Sequence, residues 1–129
     1  MADFRKLRVW QAARVAVADS YRMTAAFPRS EQFGLTSQIR RAAISIAANV
    51  AESTGRLREA DQGRFLQIAK GSVRELHCEL ILAHDLGFLE ADEQAAADRQ
   101  IDQIDRMLSA MLRHLRQMPP VPSPQSPVQ

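Results

Sequence analysis

The sequence predicts an all-α protein, an antiparallel up-and-down four-helix bundle, and three observations predict it. Four long segments repeat apolar residues at helical spacing, none shows the period-two alternation of a half-buried strand, and short connections join them. At 129 residues, 46% apolar and 25% charged, the chain has the size and balance of one globular domain. We place the bundle in residues 1–118 and a Pro-rich tail in residues 119–129.

The first helix is expected from about Arg5 to Ala26, with Leu7, Trp10, Val17, Tyr21 and Thr24 on its core stripe and Ala13 filling beside Trp10. Phe27 and Pro28 end it, because a residue before proline is pushed out of helical geometry. The linker FPRSEQFG leads to a second helix, expected to begin with Thr36 as N-cap and to stop near Ser53 and Gly55. Its stripe is Ile39, Ala43, Ile46 and Val50. Ala42, Ala47, Ala48 and Ala51 flatten the flanks and suit packing on more than one side.

The third helix, about Arg58 to Leu86, carries Phe65, Ala69, Leu76, Leu80 and Ala83 on one face. Ile68, Leu82 and Leu86 widen that face on one flank, and Leu66 and Val73 on the other. Gly71 in its middle costs about 1 kcal/mol relative to alanine, which predicts a close backbone crossing there. Gly87 is the expected C′ residue. The fourth helix, about Asp92 to Gln117, repeats Ile101, Ile104, Met107, Leu108, Met111, Leu112 and Leu115. Its acidic start and its Arg113, His114 and Arg116 ending complement the helix dipole. The tail PPVPSPQSPVQ holds five of the six prolines and no charge, and reads as extended chain.

Charge is unevenly spread. Residues 1–58 hold ten Lys/Arg against four Asp/Glu, and residues 59–129 hold seven against eleven. Arg5, Lys6, Arg8, Arg40, Arg41, Arg56 and Arg58 form the basic set. In an antiparallel bundle the start of helix one and the end of helix two lie at one end, which gathers most of that set into a phosphate-binding patch. The competing reading is pairing of opposite charges between subunits or with a protein partner. Trp10 and Tyr21 fall on the core stripe, so few aromatics remain for stacking on single-stranded bases.

A polar line crosses the alanine-rich second helix. Gln38, Ser45, Asn49 and Glu52 project to one side about a quarter-turn from the apolar stripe. With Ser72 and Glu75 of helix three they form a structural polar seam that fixes register. Ser72 and Glu79 point near the core and require partners, for which Arg40, Arg41 and Gln38 are the candidates. A catalytic reading of Glu52 with Asn49 lacks a nucleophile or metal beside them, so no catalytic residue is assigned. His77, Cys78, Glu79, His84 and Asp85 crowd together in sequence, but without an i, i+4 His pair or a CxxC they define no metal site. No nucleotide, protease or esterase motif is present, and no cofactor is implied. The single Cys78, the lack of a signal-peptide h-region and of an apolar run of ~20 residues predict a cytoplasmic protein with no membrane partner.

The runs LRVWQAA, FPRSEQFGLTSQIRRAAISIAANVAES with its following GR, and RFLQIAKGSVREL, together with Tyr21 and Thr24, resemble the four-helix-bundle family also called the 23S ribosomal RNA intervening-sequence proteins. The resemblance covers nearly the whole chain up to helix four. It implies an all-α up-and-down bundle assembling as a ring, typically a homopentamer, without enzyme activity and with no established molecular function. A similar fold serves diversity-generating retroelements as a basic pentamer that binds nucleic acid and reverse transcriptase, an analogy at the level of fold. Ser53 stands where the family usually has glycine, which bears on the turn between helices two and three. The expectation is an oligomer that binds RNA or DNA through its basic surface, or alternatively one that recruits a protein partner.

Overall fold

The computed structural model describes residues 3–117. Four helices follow one another, α1 Arg8–Thr24, α2 Leu35–Thr54, α3 Glu59–Asp85 and α4 Ala91–Gln117, with 3-10 turns at Phe4–Lys6 and Arg29–Glu31. The described residues contain no strand. Each helix packs on its sequence neighbours, α1 closes the bundle against α4, and the α2–α3 contact is the most extensive. The directions alternate. Lys70 meets Asp105 and Ser109 while His77 meets Asp98, so α4 descends as α3 rises. The Pro-rich tail lies outside the described residues.

The first helix begins later than its apolar repeat suggests. Asp3 Oδ1 accepts the Arg5 backbone N–H at 3.0 Å, which caps a separate 3-10 turn, and Phe4 packs edge-on against Trp10 at 5.1 Å. Its buried stripe is Val9, Ala13, Ala16, Ser20, Met23 and Thr24. The expected stripe is therefore rotated. Tyr21 is 41% exposed, and Leu7, Trp10 and Val17 pack only at the margin. Small residues at the centre of this face let α1 lie close to its neighbours, whereas indole and phenol rings would hold it away.

In α2 the expected stripe is correct, with Ile39, Ala43, Ile46 and Val50 each at 0% exposure. Its start is not. Thr36 lies buried inside the helix, and Gly34 occupies the N-cap. Glu31 reaches across from the preceding 3-10 turn, its Oε1 accepting the Leu35 N–H at 3.3 Å. A Cβ on Gly34 would sit 3.2 Å from that oxygen, so glycine leaves room for the carboxylate to cap the helix.

Leu66, Ala69, Ser72, Val73, Leu76, Leu80 and Ala83 form the buried face of α3. Its other flank stays uncovered: Ile68 and Leu82 are each 46% exposed and Leu86 is 61%. No close crossing occurs at Gly71, which is exposed and would bring a Cβ within 4 Å of nothing. Gly87 behaves as expected. It adopts φ +82° and ends α3 in a Schellman arrangement, with Gly87 N–H donating to His84 C=O and Phe88 N–H to Ala83 C=O, both at 2.9 Å. Phe88 then packs on Phe27, tying this turn to the end of α1. On α4, Ala97, Ile101, Ile104, Leu108 and Leu112 fill the core.

Candidate nucleic-acid interface

Antiparallel order brings three distant segments to one end of the bundle. Leu7 before α1, Ser53 to Leu57 at the α2–α3 turn, and Met111, His114 and Leu115 near the end of α4 line one cleft of about 850 Å³. Its walls are mainly apolar. Leu57 stands at its edge 93% exposed.

Cations surround this end. Lys6, Arg8 and Arg58 are exposed and make no ion pair among the described residues. Arg5 is engaged with Asp3, donating from Nε and Nη2 to the two carboxylate oxygens at 3.0 Å each, which holds the Asp3 carboxyl below its ordinary range. Arg56 pairs with Glu52 one turn earlier and lies over the Phe65 ring at 4.7 Å, while Arg64 lies over the same ring at 5.1 Å. Arg113 and Arg116, both exposed, come to this end from α4. The sequence reading left them out of the patch. The topology argument that placed Arg8 beside Arg56 also places the end of α4 there, and that was the available signal.

Arg40 and Arg41 belong elsewhere, about four helical turns from Arg56. Arg40 is turned into the α1–α2 contact. Its Nε donates to Thr24 Oγ1 at 2.8 Å and its Nη2 to Tyr21 C=O at 3.5 Å, and its guanidinium lies 4.3 Å from the Tyr21 ring centre. Arg41 is exposed, one turn before Ser45 on the α2–α3 side.

The polar seam exists in shorter form than the sequence suggests. Ser45 and Ser72 share a hydrogen bond of 2.7 Å between hydroxyls across α2 and α3. Asn49 Nδ2 donates to Ser45 C=O at 2.8 Å and to Ser45 Oγ at 3.1 Å. Gln38 and Glu75 are exposed, and Glu52 turns to Arg56. The expected ion-pair network with Glu79 is absent among the described residues, because Arg40 is committed to α1 and Arg41 projects outward. Glu79 Oε1 is covered and has no hydrogen-bond partner. Burial, and then the neighbouring Glu75 charge, push its carboxyl up to about 7.

Ser53 does not disturb the turn. It stays helical and buried, and its hydroxyl donates to Val50 C=O at 2.6 Å, so α2 continues to Thr54. The His/Cys/Asp/Glu cluster of α3 disperses: His77 lies 3.6 Å from Asp98 of α4, His84 lies 4.0 Å from Asp85, and Cys78 is exposed. Among the described residues no three such side chains are placed to hold one metal ion, and no helix is long and apolar enough to cross a membrane.

Residues 5–110 match the profile of the family described as 23S rRNA-intervening sequence protein, a span that includes α1, α2, α3 and most of α4. The chain belongs to that family. A solved structure from Bacteroides thetaiotaomicron, described as a protein with unknown function from the S23 ribosomal protein family, has the same fold, with a TM-score of 0.74 at 19% identity. The match covers 81% of this chain and 98% of that one. Among curated proteins none matches. This intervening-sequence family protein thus carries its basic residues on a bundle shared with that S23-family structure.

Proposed function

We propose that the protein is a non-enzymatic, self-associating module of the cytoplasm that binds RNA phosphates through the basic end of the bundle. The observation that carries this reading is that exposed cations, with no ion pair among the described residues, come to one end from three separate segments beside residues of the cleft: Lys6 and Arg8 flank Leu7, Arg58 follows Leu57, and Arg113 and Arg116 flank His114 and Leu115. Such a patch contacts phosphates and displaces condensed counterions, so its affinity falls as salt rises. Arg side chains add bidentate phosphate contacts that lysine does not make. The Ser53 and Thr54 hydroxyls of the cleft donate to Val50 C=O and Ala51 C=O of their own helix, which supports a binding role for this end.

Fluorescence anisotropy against structured RNA, single-stranded RNA and duplex DNA across a salt series tests it. Replacing Lys6, Arg8 and Arg58 together with alanine should weaken RNA binding at least about tenfold and flatten the salt slope by about 2. Arg29→Ala at the opposite end serves as the control and should change neither. Equal binding by the native and triple-variant proteins would sink the proposal. The exposed Leu57 beside the apolar cleft favours a second reading, recruitment of an acidic protein segment with an apolar anchor. That reading gains if no nucleic acid binds even at low salt.

A further inference from the structure

The cleft at the basic end has the wrong lining for phosphate alone. Leu7, Leu57, Leu66, Met111 and Leu115 wall it, and phosphate and ribose have no apolar face to set against such side chains. Its volume of about 850 Å³ lies within the range of about 300–1,000 Å³ for clefts that take a small ligand. Of the parts of an RNA, only a base offers an apolar face together with a polar edge. A base inside a duplex keeps that face within the stack, so an unpaired one is needed.

Polar groups stand where such a ligand needs them. Arg56 lines the cleft, and its guanidinium lies over the Phe65 ring at 4.7 Å while pairing with Glu52. Held by a ring and a carboxylate, it is a planar platform whose ordering is largely complete before a ligand arrives. Trp10 packs with Phe4 and Tyr21 with Arg40, so at this end a guanidinium takes the part that an aromatic ring plays elsewhere. Gln62 lines the same cleft. One N–H of its amide donates to Arg56 C=O at 2.7 Å, and its amide oxygen and second N–H have no hydrogen-bond partner among the described residues. An acceptor and a donor on one amide match the N6 donor and ring-nitrogen acceptor of adenine. Lys6 and Arg8 border Leu7 and Arg58 follows Leu57, which places cations at this end for the phosphates next to an inserted base. We infer that the cleft takes one unpaired RNA base, its face on the Arg56 guanidinium and its edge on the Gln62 amide. Resting on the phosphate-binding reading, such a site prefers a bulged or terminal unpaired nucleotide and leaves a continuous duplex only the cations.

Three hairpin RNAs with one stem sequence separate the base from the charge: a continuous stem, the stem with a single-adenosine bulge, and the stem with an abasic ribose at the bulge. The two bulged RNAs carry the same number of phosphates. Fluorescence anisotropy of the full chain should give about tenfold tighter binding to the adenosine bulge than to the abasic one, with equal salt slopes. Arg56→Lys keeps the charge and removes the plane, and Leu57→Ser removes an exposed apolar wall. Each should bring the ratio of the two affinities down to about 2 or less, with circular dichroism confirming helicity. Replacing Lys6, Arg8 and Arg58 together with alanine should instead weaken binding of both bulged RNAs alike. Equal affinity of the native chain for the two bulged RNAs would overturn base insertion and leave the phosphate reading intact. A tenfold ratio that survives both Arg56→Lys and Leu57→Ser would overturn this cleft as the base site. A native chain that binds none of the three RNAs at low salt would overturn both the base site and the phosphate reading.

Discussion

The Arg40 guanidinium shows how one side chain changes class between sequence and structure. Its Nε donates to Thr24 Oγ1, and Thr24 in turn donates to Ser20 C=O at 2.7 Å, so the cation terminates a short buried chain of hydrogen bonds. Losing it forfeits that bond and a cation–π contact with Tyr21, together about 1–2 kcal/mol. Arg40→Ala should therefore lower the thermal midpoint, and RNA anisotropy should find its affinity unchanged. A basic residue at i of a charged run looks like surface in the sequence. Only the rotation of α1, which brings Tyr21 outward, creates the platform it uses. Glu79 offers a second residue-scale prediction. With Glu75 and Asp85 on its own helix and Glu31 across the cleft, Glu79 has no ion-pair partner among the described residues. Its folded pKa of about 7 lies above the ordinary 4.5, so the folded chain binds the extra proton between those values. That contribution to stability is full below the lower value and is lost as pH rises through the upper one. The thermal midpoint should fall from pH 5 to pH 8, and Glu79→Gln should flatten that dependence. A slope unchanged by Glu79→Gln would remove this carboxyl as its source.

At the scale of elements, a glycine inside α3 and another just past its end make opposite predictions. Gly71 sits inside α3, exposed, with open space where a Cβ would go, so Gly71→Ala should raise stability by about 0.5–1 kcal/mol. Gly87 holds φ +82° at the end of the same helix, and Gly87→Ala should lower stability by about 1 kcal/mol although no atom crowds it. Denaturant titration of the two variants checks both signs. The sequence supported the second expectation and misled on the first, because a stop signal is written in local chemistry whereas a helix crossing depends on a neighbour. The same division runs through the fold. Apolar repeats in α2 and α4 marked their buried faces because Ile, Leu and Val there have no competing role. The α1 face was misplaced because Trp10 and Tyr21 outweighed the alanines that the close packing uses. Thr36 looked like an N-cap by type, yet Glu31 supplies that oxygen from outside the helix, a long-reach cap that no local pattern announces. Of the candidate site, Ser45 and Ser72 were legible as members of one polar seam, because only polar groups could satisfy them at a helix contact, whereas the partner of Ser72 is Ser45 and not the expected Arg40, Arg41 or Gln38.

The charge asymmetry of the whole molecule is axial. Along the sequence it divides into a basic first part and an acidic second part, but folding rearranges it into two ends. Lys6, Arg8, Arg58, Arg113 and Arg116 come to one end, each next in sequence to a residue lining its cleft. The far end carries Asp19, Asp92 and Glu93 where α1 meets α4, and Glu31, Glu79 and Asp85 where α2 meets α3. With a formal net charge of +2, the chain as a whole has little attraction for a polyanion, so binding must come from the local field of the basic end. Two double variants separate these sources because they change net charge by the same amount on the same helix. Arg113→Glu with Arg116→Glu places four units of change at the basic end. Arg99→Glu with Arg106→Glu places the same change farther up α4, where Arg106 already pairs with Asp102 at 2.9 Å. At moderate salt, where the Debye length is about 10 Å, the first pair should weaken RNA binding at least about tenfold and flatten the salt slope, while the second should leave both nearly unchanged. Equal losses from the two pairs would show that overall charge governs the affinity, and the convergence of α1, α3 and α4 would then have no bearing on RNA binding.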